Sequence, residues 1–333
     1  MTERLLNLIR DAPELNETSK KNYISVANRL VGLVGHSLEW VMANPTQSLL
    51  VLKEELTTNA STLANFCVMV CKLYSLDGHD TRKRFPNSYK LWQRYLRHYR
   101  NKEENAYKES KFTDKQLKNY IGWDEVQSYY CRLKKDTMTH ATQQSNQEYL
   151  LFSLLLNMNA KRADLGNIRI FETDPRLETT NYLYFKPVPT LVLTEYKTSK
   201  KFGVIKEPLC AELVKDIKQS LNLFPRSHLI LSLRLQQPYE KNNSYSQYVK
   251  RVFEKHFGRS MGVSLWRSVY ISANVDFNDT PYEVLERNAL YKGHSLAQEF
   301  MSYRKLAPGY TTTTTKLFRR PASEQGAPVN CKP

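Results

Sequence analysis

Residues 293 to 305 read GHSLAQEFMSYRK and place a tyrosine, Tyr303, nine residues after His294. Three cations elsewhere in the chain keep it company. Arg162 lies in NMNAKRADLGNIRIF, where an apolar helix breaks; Lys197 lies in LTEYKTSKKFG, at the end of a strand; Arg267 lies in GVSLWRSVYIS, inside a helix. A guanidinium presents a planar fork that matches phosphate oxygens two at a time, and a phenol is one of the side chains able to act as a nucleophile. The composition points the same way. With 49 Lys+Arg against 33 Asp+Glu, a net charge of +16 favours a polyanionic partner, nucleic acid first, through long-range attraction and counterion release.

Spacing alone is a weak signal, because 21 of the 333 residues are tyrosine. The tetrapeptide GHSL also occurs at 35 to 38, and nine residues after His36 stands Pro45. The local pattern says more. Ser295 is suited to cap a helix with Gln298 as the reciprocal partner of a capping box. Leu296, Phe300 and Tyr303 then fall on one helical face, which aims the phenol inward.

The elements that must position these groups divide into two predicted domains. Residues 1 to 108 read as helices, with NETSKKNYISVANRLVGLV placing Tyr23, Val26, Leu30 and Leu33 at helical spacing after capping residues. Within this region TRKRFPNSYKLWQRYLRHYRNK interleaves Arg82, Lys83, Arg84, Arg94, Arg97 and Arg100 with Trp92, Tyr95 and Tyr99. That mixture suits DNA phosphates on one side and packing on the other, and equally a solvated helix face. The charged stretch from 101 to 119 is the best linker in the chain, with the linker proper set at 109–121. A second domain, 122–308, opens with a helix around WDEVQSYYCRLKK and an apolar helix over about 147–158. Then NYLYFKP, TLVLTEYKT and FGVIKEPL read as three antiparallel strands. Helical spacing returns with Tyr248, Val252, Phe253 and Phe257 and stops at Gly258. The expected fold class is therefore mostly α with a small antiparallel β-sheet (α+β), followed by a mobile tail at 309–333 containing Leu317 and Phe318.

Other readings are disfavoured. The five cysteines, Cys67, Cys71, Cys131, Cys210 and Cys331, are scattered without metal-ligand or disulfide-framework spacing, which suits a reducing, intracellular setting. Cys67 and Cys71 read as neighbours in a helix core. No leader opens the chain, and its most apolar run, YLLFSLLL, is too short to span a bilayer, so a soluble protein with no membrane association is expected. Neither a His-Glu-x-x-His motif nor a phosphate-binding glycine loop is present, and no metal or other cofactor is expected.

Taken in order, these blocks resemble the catalytic domain of the tyrosine recombinase (phage-integrase) superfamily over roughly 122 to 305, and among its members look most similar to those of large eukaryotic DNA viruses and their satellites. The preceding helical region is similar to the family's core-binding domain in length, basicity and position. The resemblance implies site-specific cleavage and rejoining of double-stranded DNA through a covalent 3′-phosphotyrosine, without metal or ATP. It matches Arg162, Lys197, Arg267, His294 and Tyr303 to the family's catalytic positions. Tyr303 would be the nucleophile, Arg162 and Arg267 the phosphate clamp, His294 a hydrogen-bond donor to the same phosphate, and Lys197, or Lys200 in the same hairpin, the general acid. Ser264 stands where the family has histidine in its His-x-x-Arg box, which leaves proton handling open. The resemblance further implies a homotetramer on DNA and, for a viral protein, a host nucleus or viral replication site. Two rivals remain: a type IB topoisomerase, which uses the same nucleophile and clamp, and a catalytically inactive basic DNA-binding protein.

Overall fold

The computed structural model describes residues 2–305, apart from Thr57 and Glu178; the predicted tail at 309–333, with Leu317 and Phe318, lies outside the described residues. The chain divides into two compact units, Met1–Glu109 and Ser110–Pro333.

In the first unit the helices are Thr2–Asp11, Glu17–Val34, Leu38–Ala43, Pro45–Glu55, Ala60–Leu76, Gly78–Arg84 and Pro86–Lys108. Their ends follow local chemistry. Asn16, Ser37 and Asn59 accept from the backbone N–H groups of Ser19, Trp40 and Thr62, and Pro45 and Pro86 open the helices they begin. Leu30 is buried in this unit's core, with Tyr23, Val26 and Leu33 packed half-buried against it. Met42 O receives both the Tyr74 hydroxyl, at 2.8 Å, and the Trp92 indole N–H, at 3.1 Å, so the largest side chains enter the core with their polar atoms satisfied. Cys67 lies within that core and Cys71 against it; burial pushes their thiols up to about 12 and about 11.

The boundary region differs from the expected linker. Residues 101–108 continue the helix Pro86–Lys108. Beyond it Thr113 and Gln116 form a reciprocal capping box on the short helix Asp114–Lys118. Phe112 and Ile121 are buried in the core of the second unit, so the segment 110–121 is packed rather than free.

The second unit is built around the helix Gln143–Asn157, buried from Asn146 through Leu156. A helix buried on all sides must satisfy its polar groups internally. Glu148 takes Lys255 and His256 at 2.9 and 2.7 Å, and Asn146 donates to Ser220 O at 3.1 Å. Asp216, on the helix Ala211–Leu223, accepts from the hydroxyls of Tyr130, Tyr149 and Ser153 and pairs with Lys134 at 2.8 Å. One carboxylate thereby ties together the helices Trp123–Thr139, Gln143–Asn157 and Ala211–Leu223. The helix Asn242–Phe257 buries Tyr248, Val252 and Phe253 and ends at Gly258, whose φ of 64° is left-handed.

The sheet has four strands, β1 (Arg169–Thr173), β2 (Tyr182–Lys186), β3 (Thr190–Leu193) and β4 (Ile205–Pro208), in that spatial order. β2, β3 and β4 pair antiparallel, with Leu183 opposite Leu191 and Leu191 opposite Glu207. β1 adds to β2 in parallel, Ile170 beside Leu183. The expectation of a purely antiparallel, three-stranded sheet is corrected to a mixed, four-stranded one within the same α+β class. β1 is an edge strand with no fully buried residue. No helix among the described residues is long and apolar enough to cross a membrane.

Candidate active site

Arg162 follows the buried helix and initiates the 3₁₀ turn Ala163–Asn167. The turn is anchored on both sides. Lys161 pairs with Glu207 of β4 and donates to Tyr291 O, and Asn159 donates to the same Glu207 at 2.8 Å. Gly166 allows close approach to the chain around the helix Asn242–Phe257: a Cβ there would stand 2.8 Å from Tyr245 Cβ and 3.0 Å from Tyr239 Cβ.

Arg267 projects from the helix Val263–Asn274 and is only 1% exposed. Its Nη1 donates to the Tyr303 hydroxyl at 3.0 Å, and its Nη2 donates to Lys292 O at 3.0 Å and to His294 Nδ1. Burial, aided by the neighbouring positive charge of Arg162, draws Arg267 down to about 10, which leaves it a cation at neutral pH. Arg162 Nη1 and Arg267 Nε are both buried without a hydrogen-bond partner among the described residues. Buried guanidinium donors without partners are groups that an anion would satisfy.

His294 is approached through Gly293, whose φ of 73° favours glycine. Thr198 Oγ1 donates to Gly293 O at 2.7 Å and so ties the β3–β4 connection to this loop. Both ring nitrogens of His294 are engaged: Nδ1 with Arg267 and Nε2 with Glu299 at 2.9 Å. In this conformation both ring nitrogens are already occupied within the protein. Burial lowers the His294 pKa, against the pull of Glu299.

Tyr303 ends a π-helical turn, Glu299–Tyr303, that follows the single turn Leu296–Gln298. Ser295 caps it by accepting from Gln298 N at 3.3 Å, whereas the Gln298 side chain turns to Ser302 and does not complete a capping box. The π turn rotates the predicted inward face. Phe300 is 45% exposed, while Glu299 is fully buried and takes Lys292 at 2.7 Å as well as His294. Lys292, Glu299 and Lys161 were not legible as site residues, because ideal helical spacing assigns Phe300 to the interior and leaves Glu299 on a flank.

Of the sequence-predicted residues, the structure brings together Arg267, His294 and Tyr303, with Arg162 near enough to act electrostatically on Arg267. The lysines and the serine are all exposed. Lys197 is exposed at the rim of a cavity of about 420 Å³ lined also by Asp164, Asn167, Tyr196 and Glu240. Lys200 is exposed on the short helix Ser199–Phe202, and Ser264 is exposed one turn before Arg267. No group of three His, Cys, Asp or Glu among the described residues is placed to hold a metal.

In the first unit the basic stretch separates into two kinds of cation. Arg82 donates to Tyr74 O at 3.1 Å and lies over the Tyr89 ring, Arg84 pairs with Glu39, and Arg100 pairs with Glu103 at 2.8 Å. Those three have partners within the unit. Lys83, Arg94 and Arg97 are exposed and make no ion pair among the described residues, while Trp92 and Tyr99 point into the core.

Comparison with solved structures finds the crystal structure of XerA recombinase, at a TM-score of 0.37 and 12% identity, covering 92% of this chain and 95% of that one. No family model matches the chain, and no curated protein matches it.

Proposed function

We propose that this chain cleaves and rejoins DNA in the manner of a tyrosine recombinase, with Tyr303 as nucleophile. The phenolic oxygen forms a bond to phosphorus, the bond from phosphorus to the 5′ oxygen breaks, and a 3′-phosphotyrosine linkage results. Its reversal by another 5′ hydroxyl rejoins a strand without ATP. Charge growing on the non-bridging oxygens would be met by the partnerless N–H groups of Arg162 and Arg267. The observation that carries this reading is the contact of Arg267 with the Tyr303 hydroxyl at 3.0 Å, inside a buried cluster that has guanidinium donors to spare.

The leaving 5′ oxygen needs a proton. Lys197 or Lys200 is assigned to supply it, reaching in from the connection that Thr198 ties to Gly293. Lys83, Arg94 and Arg97 of the first unit are assigned to DNA phosphates. Exchange between two duplexes breaks four strands, so the working form is assigned as a homotetramer on DNA.

The test is a nicked duplex that loses its 5′ fragment on cleavage and traps the covalent adduct. Adduct formation that disappears in Tyr303→Phe, with DNA binding retained, supports the reading. DNA binding without adduct in the parent protein would mark a non-catalytic DNA-binding protein. Relaxation by a monomer of a plasmid lacking any recombination site would mark a topoisomerase.

A further inference from the structure

The buried side chains behind Tyr303 form a linked series of hydrogen bonds that the proposed reaction does not itself use. An arginine N–H only donates, so the contact between Arg267 Nη2 and His294 Nδ1 requires a lone pair on Nδ1. The proton of a neutral imidazole must then be on Nε2, which is 2.9 Å from Glu299 Oε2. The other carboxylate oxygen of Glu299 is 2.7 Å from Lys292 Nζ. The main-chain oxygen of Lys292 in turn receives Arg267 Nη2 and closes the circuit.

We infer that Glu299 is a positioning residue: it holds His294 as the Nε2–H tautomer, so that Nδ1 and the Lys292 carbonyl together aim the Arg267 fork at Tyr303 and its phosphate. Lys292 has a distinct part in this. A carboxylate beside an imidazole by itself favours the imidazolium, whose Nδ1–H would face the Arg267 N–H, donor against donor. The Lys292 ammonium offsets the Glu299 charge and so lets the carboxylate orient the ring without charging it. The charged groups around His294 are Arg267 from the helix Val263–Asn274, Lys292 from the loop before it, and Glu299 from the π turn; the Tyr303 ring stacks obliquely at 5.1 Å. All of the first three are at most 2% exposed, so water does not substitute for any of them. The arrangement is that of an outer partner fixing the ring orientation of a functional histidine.

The kinetic half of this inference rests on the strand-transfer reading; the spectroscopic half does not. The full chain is labelled with nitrogen-15 on histidine, and the His294 ring is assigned by the signals that disappear in His294→Asn. At neutral pH, without DNA, the parent protein is expected to show a neutral ring protonated on Nε2. Two variants are compared: Glu299→Gln, and the double variant Lys292→Met/Glu299→Gln, which strands no buried charge and guards against a failure to fold. Both are expected to lose the single tautomer and to form the covalent adduct about 10- to 100-fold more slowly, with DNA affinity unchanged. An Nδ1–H ring or an imidazolium in the parent protein overturns the inference, as does an unchanged tautomer in the variants. A parent protein that shows the expected tautomer but forms no adduct sinks the strand-transfer reading and leaves the tautomer assignment standing.

Discussion

The guanidinium of Arg267 lies over the ring of Tyr303, 4.3 Å from its centre, and also donates to its hydroxyl at 3.0 Å. One cation therefore meets both the face and the oxygen of the same phenol, while its second terminal nitrogen is taken by Lys292 O and His294. A lysine would keep the charge and lose the fork. Arg267→Lys is expected to slow adduct formation on the nicked duplex by about 100- to 1000-fold, the scale of losing a preorganised donor to a developing oxyanion. Single-turnover rates at saturating DNA check this, and a rate near that of the parent would show that a point charge suffices.

The division among the surface cations gives a second expectation. Arg94 and Arg97 are exposed on the helix Pro86–Lys108 and unpaired among the described residues, so neutralising both should weaken DNA binding with little change in folding. The slope of log affinity against log salt should fall by about 0.9 for each phosphate that the variant no longer neutralises. Arg82 should behave in the opposite way. Its bond to Tyr74 O and its place over Tyr89 make Arg82→Gln a stability variant, costing about 1 kcal/mol in denaturant unfolding. Equal effects of the two sets on the salt slope would remove the distinction.

How much of this was legible in the sequence depends on the range of the interaction concerned. Helix ends at Asn16 and Gly258 are decided within one turn by their own side chains or by glycine's freedom, and they stand where the capping and spacing rules place them. The strands β2 and β3 are rich in β-branched and aromatic residues and declare themselves; β1 carries Ile170, Phe171 and Thr173 as well, but its parallel place beside β2 is a pairing that its own residues do not state. The predicted inward face of Leu296, Phe300 and Tyr303 assumed ideal helical spacing. One π turn is enough to replace Phe300 with Glu299 at the interior. Its partners there are Lys292 and His294, and no local rule weighs a buried ion pair. Cationic side chains such as Arg82 and Arg94 look alike in sequence; only the fold shows which one finds a carbonyl and an aromatic ring.

Gly166 tests the mounting of Arg162. The atoms facing a Cβ at this position are Tyr245 Cβ, Tyr239 Cβ and the Tyr239 backbone oxygen, all within 3.0 Å and none at the free end of a flexible side chain. Tyr239 N also donates to Gly166 O at 2.9 Å, so the two segments cannot simply part. Gly166→Ala is expected to destabilise the protein by about 1 to 3 kcal/mol, as overpacking does, and to reduce adduct formation even where the protein remains folded, because the displaced turn carries Arg162. Urea unfolding followed by the nicked-duplex assay reads both effects; an alanine variant as stable and as active as the parent would show that the turn yields without consequence.

The buried imidazole of His294 makes stability depend on acidity in a definite direction. Burial depresses its pKa below the ordinary 6.5, and burial does the same for His228. Between the depressed value and 6.5 the unfolded chain binds more protons than the folded one, so folding free energy contributed by these rings is complete above about pH 6.5 and is lost as the pH falls below it. Glu299, held below its ordinary 4.5 where the His294 and Lys292 contacts outweigh burial, adds a loss in the same direction only under more acidic conditions. Unfolding midpoints measured between neutral pH and about pH 5 should therefore fall on acidification, and the fall should be smaller in His294→Asn, which has no ring to protonate. A fall as large in His294→Asn as in the parent would mean that His294 does not contribute this dependence, which removes the evidence that Nδ1 receives the Arg267 N–H.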